Sequence, residues 1–214
     1  MKHCHKHFCL VAWGLSLAGL LAVQPAAAVV LSFTGTVTDV GSVNVSPPEG
    51  VGIGAAVSGT VTYDPAEASM IEVGPSERAY VFLPGTGNEI TVEIGTHVWK
   101  TDLQTVGVCD EVCDGDYLDH NGLSSTTVSF PDNLGTGFLL IEFADFEATY
   151  DLLDGTDLPN ATEDINFAAA IVKMGSVYSN GPSGFWNILF EVDSPSVPAT
   201  TSTWSEVKAL YARP

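Results

Sequence analysis

The chain has 214 residues, and its 26 acidic side chains against seven Lys and Arg give a formal net charge of −19 at pH 7. A charge this one-sided repels phosphate backbones and anionic bilayer surfaces, which excludes nucleic-acid binding. With 45% hydrophobic residues and plentiful regular alternation, the chain has the material for one folded domain rather than a disordered segment.

Residues 1–28 read as an export signal. Lys2 and Lys6 supply a positive start, Phe8 to Val23 an apolar run, and Ala26-Ala27-Ala28 a small-residue cleavage site. Sixteen apolar residues fall short of the roughly 20 that cross a bilayer, so no stable membrane span is expected once the signal is removed. Cleavage takes away two lysines and no acid. The remaining 186 residues carry five basic and 26 acidic side chains, a net charge of −21. Secretion or periplasmic residence follows.

The mature chain alternates with period two. In "LSFTGTVTDV", Leu31, Phe33 and Val37 fall on one face and Ser32, Thr34, Thr36 and Thr38 on the other. "VSGTVTY" repeats this from Val57 to Tyr63, "EITVEI" from Glu89 to Ile94, and the longest run spans residues 137–150. "FWNILFEV" puts Trp186, Ile188, Phe190 and Val192 on one face. Weaker runs stand at 79–83, 97–108, 125–130 and 165–178. Turn signals such as "LPGTGNE", "DGDYLDHNG" and "SNGPSG" separate the runs, because Gly, Pro, Asn and Asp favour tight backbone geometry. Only Ala66 to Ile71 and the tail near Trp204 to Tyr211 suggest short helices. About nine antiparallel strands with little helix predict an all-β sandwich or jelly roll over residues 29–195, followed by a tail at 196–214.

The segment "CDEVCDGDYLDHNG", Cys109 to Gly122, concentrates two cysteines, five acids and a histidine. An even cysteine pair in an exported chain points to a disulfide, Cys109 with Cys113, closing a small ring that pins the loop. The EF-hand pattern fails, since Leu118 occupies the third ligand position and Ser125 the twelfth. A looser calcium site of Asp114, Asp116 and Asp119 competes with a plain solvated acidic loop. Zinc on Cys109, Cys113 and His120 would be one ligand short, and nearby acids oppose a reactive thiol.

Catalytic patterns are weak, and no catalytic residue is assigned. Glu142 and Glu191 would make a glycosidase pair only if the fold brought them about 5 Å apart. A serine-hydrolase elbow and a phosphate-binding glycine loop are both missing, and His97 and His120 are the only histidines of the mature chain. Among the aromatics, Trp99 in "THVWKT" is the surface candidate for stacking on a ligand, and Trp186 reads as core.

The phrases "LSFTGTVTDV", "GVGIGAAVSGTVTYDP" and "NEITVEIGTHVWKTD", in that order after an export signal, resemble the amino-terminal half of bacterial exported proteins of the PEP-CTERM, exosortase-sorted type. The likeness covers residues 29–105. It implies an envelope, biofilm or extracellular-matrix component. The leading expectation for this chain is a non-enzymatic interaction module there, with a polysaccharide or protein partner. The tail, "SPSVPATTSTWSEVKALYARP", departs from the family, having neither its sorting box, its apolar helix nor its terminal Arg cluster. A carbohydrate-binding module or glycoside hydrolase is the alternative function.

Overall fold

The computed structural model describes residues 28–110, 116–123, 136–145 and 152–193. Ten strands appear in chain order: β1 (Val29–Val43), β2 (Ala56–Tyr63), β3 (Ser69–Gly74), β4 (Glu77–Val81), β5 (Glu89–Ile94), β6 (His97–Cys109), β7 (Asp116–Leu123), β8 (Thr136–Asp145), β9 (Val172–Gly181) and β10 (Gly184–Val192). They form one sheet in the order β3-β4-β6-β5-β2-β1-β10-β9-β8-β7, and β7 pairs back onto β6. Eight strands therefore close an antiparallel barrel. β3 and β4 stand outside the ring as a hairpin attached to β6.

The all-β, antiparallel expectation holds, but the wall is one continuous closed sheet rather than two separate ones. Two long strands account for the difference. β1 pairs β2 over Val29–Thr36 and β10 over Gly35–Val43. β6 pairs β5 over His97–Asp102, then β4 and β7 along its second half. Each belongs to both halves of the wall, so neither half has a free seam there.

The predicted runs from Leu31, Val57, Glu89 and Phe185 are strands, and the run at 137–150 is one as far as Asp145. Two expectations are corrected. The helix expected over 66–71 is a single 3-10 turn, Pro65–Glu67, capped by the Asp64 side chain and followed by β3. The stretch read as a turn from Asp114 to Gly122 contains β7, which has strand partners on both sides. Pairing with two neighbours overrides the turn-like composition of Asp, Asn and Gly there. The expected run at 125–130 and the tail at 196–214 lie outside the described residues.

The interior is filled. Leu31, Phe33, Val61, Ile90, Val92, Trp99, Leu103, Val106, Leu118, Leu139, Ile141, Val177, Trp186, Ile188 and Phe190 are all nearly inaccessible to solvent. An eight-stranded ring leaves just enough space for such side chains to meet across it. Two glycines make the fit possible. Phe33 lies over its cross-strand partner Gly59, and Phe190 over Gly175, and the two rings stack with centroids 6.2 Å apart. A Cβ on Gly59 would sit 2.3 Å from the Phe33 ring, and one on Gly175 2.3 Å from that of Phe190.

Over β1, β2 and β5 the outward positions are Thr34, Thr36, Ser58, Thr60, Thr91 and Glu93, against an apolar inward set. This is the inverse of the lipid-facing band of a membrane-crossing barrel. Among the described residues no helix is long and apolar enough to cross a membrane.

The β8–β9 connection folds back over one end of the barrel. Leu152, Leu153, Leu158, Ile165 and Phe167 are buried, with Phe167 edge-on to Phe143 at 4.9 Å. Tyr63 at the end of β2 donates its hydroxyl hydrogen to the Pro159 carbonyl, and Tyr80 on β4 donates to that of Thr156. This cap also holds Asp157 against Arg78 of the hairpin.

Candidate functional site

Strand register fixes where the acidic segment goes. One row of cross-strand partners runs around the outside of the wall: Ile71, Ala79, Gly107, Asp119, Glu142, Met174 and Glu191. Directly paired residues project from the same face of a sheet. The hairpin and the acidic wall therefore form one continuous outer surface.

Asp119 and Glu142 are direct cross-strand partners. The Asp119 carboxyl is pushed up to about 7, first by burial, then by the charges of Glu142 and Glu77. Its Oδ1 is out of water and has no hydrogen-bond partner among the described residues. Burial also raises Glu142. Two carboxyls so placed favour holding one proton between them, because two adjacent negative charges in a poorly hydrated site repel.

Of the residues predicted as a calcium site, Asp119 lies on this outer wall. Asp116 opens β7 opposite Asp145, and Asp114 lies outside the described residues. Among the described residues no three His, Cys, Asp or Glu side chains are grouped as metal ligands. Cys109 ends β6, is fully buried and is engaged in a disulfide, whereas Cys113 lies outside the described residues.

His120 is not beside Cys109. It points into the barrel, completely buried, 6.0 Å from the Tyr63 ring and edge-on to Phe143 at 6.4 Å. Among the described residues neither ring nitrogen meets a hydrogen-bond partner of good geometry. Burial lowers its pKa to about 4, and the backbone of Ile141 opposes this only in part. A neutral imidazole packed as an aromatic core residue is the result.

The aromatic expectation divides. Trp186 is buried as expected, but Trp99 is a core residue and not a surface platform: it is fully inaccessible and lies edge-on to Trp186 at 5.9 Å. Its strand partner Val92 also points inward, and the period-two alternation of β6 takes both to the same side. Glu142 and Glu191 share an outer row, but Met174 of β9 stands between them. Two strand spacings of about 4.8 Å each separate their backbones, and the carboxyl facing Glu142 is that of Asp119.

What the sequence reading missed is β3, the outer strand of the hairpin, whereas the run at 79–83 already marked β4. Met70, Ile71 and Val73 on β3 are 53%, 55% and 57% exposed, on a strand whose side chains are almost all in solvent. The apolar pair Met70-Ile71 and then Val73 were legible as a strand fragment, had the preceding Pro-Ala-Glu not looked helical.

No known protein family, curated protein or solved structure matches the chain.

Proposed function

We propose that the protein is a non-enzymatic, exported interaction module of a bacterial envelope or extracellular matrix. The observation that carries this reading is the β3–β4 hairpin, which holds three large apolar side chains in solvent beside a filled barrel with a Thr-rich wall. A chain stabilised only for its own sake gains nothing from exposing them, and exposed apolar groups ringed by polar surface mark sites of association. Export is supported by the leader-like first 28 residues, and the envelope setting by the resemblance of residues 29–105. In the same reading Cys109 pairs with Cys113, a choice that non-reducing peptide mass analysis checks.

The test is retention of the purified protein on insoluble envelope and matrix material of the producing cells. Saturable retention that disappears in the triple variant Met70→Ser, Ile71→Ser, Val73→Ser, with an unchanged melting temperature, is the expected result. Retention that ignores the hairpin, or turnover of glycan substrates by the pure protein, would overturn it.

A further inference from the structure

We infer that the free edge of β3 takes up an additional strand, supplied by an extended apolar and basic segment of a partner protein. This rests on the interaction-module reading and specifies how the module binds.

Among the described residues β3 ends the sheet order, and β4 is its sole strand neighbour. In an antiparallel pair successive N–H and C=O groups alternate direction, so half of those on β3 point away from β4. Natural edges are guarded against chance pairing by Pro, Lys, short length or bulges. The six residues of β3, Ser69–Gly74, contain neither Pro nor Lys. The register irregularity falls between Glu72 and Gly74, leaving Ser69 to Glu72 in plain pairing with β4. Met70 and Ile71 alternate, the first on the face of Tyr80 and the second on that of Ala79, and both are more than half exposed. An incoming strand would find main-chain partners at the edge and an apolar contact on each face, the recognition mode of strand addition.

Charge selects the occupant. Glu67 precedes β3, Glu72 lies in it and Glu77 opens β4, while Arg78, across from Glu72, is engaged by Asp157. The chain carries 26 acids against seven bases. A second copy brings the same excess and its own Glu72 to the same edge, so like charges oppose self-pairing. A segment with apolar residues alternating with Lys or Arg complements the edge on both counts.

The test uses the full chain and a labelled peptide, acetyl-Thr-Ile-Lys-Val-Lys-Ile-Thr-amide, followed by fluorescence anisotropy. Two N-methylated forms, each blocking the N–H groups of one edge of the peptide, leave the protein untouched. Strand addition predicts that one form loses at least about 10-fold in affinity and the other stays within about twofold. Replacing both Lys by Glu weakens binding by a similar factor, and Ile71→Ser on the protein also reduces it. Equal binding of both N-methylated forms overturns the inference, as does no binding up to about 1 mM. Sedimentation showing the β3 edge consumed by dimers of the chain overturns it too. If retention on envelope material persists while the peptide fails, the interaction-module reading stands and strand addition alone falls.

Discussion

The barrel ring and the β3–β4 hairpin solve the same problem in opposite ways. Within the ring, strands are paired on both sides and the inward side chains fill the interior, down to glycines that make room for Phe33 and Phe190. The hairpin is anchored by β6, Tyr80 and Arg78, yet among the described residues its outer strand has an open edge, and its apolar side chains are more than half exposed. The ring buries its apolar side chains in the interior, whereas β3 holds three of its six residues as large apolar groups in solvent. Substitutions should therefore have costs that fall steeply from one region to the other.

The largest effect is expected at the glycines under the aromatic rings. In Gly59→Ala the new Cβ meets the Phe33 ring at 2.3 Å and the Thr91 carbonyl oxygen at 2.4 Å, and backbone cannot step aside as a flexible side chain can. A loss of about 3 kcal/mol, the upper end for overpacking, should appear as a lowered denaturant midpoint. A loss under about 1 kcal/mol would mean that the ring is looser than its packing implies.

β7 carries the next two effects on its two faces. His120 points inward with its folded pKa lowered to about 4, against 6.5 for the free side chain. Its contribution to stability is fully present above pH 6.5 and is lost as the pH falls toward 4, because only the unfolded chain accepts the proton readily. His120→Leu should flatten this acid limb, by up to about 3 kcal/mol over the window, and leave stability at pH 8 unchanged or higher. Asp119 faces outward with its pKa raised from 3.8 to about 7. Its favourable contribution is present below pH 3.8 and is lost as the pH rises through 7, the opposite sign. Asp119→Asn should accordingly stabilise the fold at pH 8 by on the order of 2 kcal/mol and make little difference below pH 4. Relative to the parent, the gain in melting temperature across pH 4 to 8 should appear at the acid end for His120→Leu and at the alkaline end for Asp119→Asn. If both gains grow toward the same end, the two side chains do not face the environments described.

Much of the ring was legible because its strands are half-buried and polar outside, so that period two survives in "LSFTGTVTDV", "VSGTVTY" and "EITVEI". Closure was not legible, since it depends on β1 and β6 changing partners midway, which alternation does not encode. β7 was lost for a related reason: "DYLDHNGL" has turn composition, and its inward positions Leu118, His120 and Gly122 spell a strand only once His is counted as a core residue. Trp99 was misplaced because Val98 and Lys100, exposed on either side, made the segment look like surface. The candidate site was hidden most completely. Its signal is an apolar strand with no described strand on one edge, a property of the assembled sheet and not of six residues.

The smallest effect on stability carries the most information about function. In Met70→Ser, Ile71→Ser, Val73→Ser three side chains change that are already more than half in water, so little burial is lost. The anchors of the hairpin, the Tyr80 hydroxyl on the Thr156 carbonyl and Arg78 on Asp157, stay in place. Surface changes of this kind cost within about 0.5 kcal/mol. The serine β-propensity deficit acts on an edge strand with a single partner, where such preferences are weakest. A variant with the parent's melting temperature, higher solubility and no retention on envelope material would separate the two regions by role, the ring for folding and the hairpin for binding. A drop of several degrees would instead mean that β3 is held by contacts from its own chain, and the exposed edge would then be a structural seam and not a docking site.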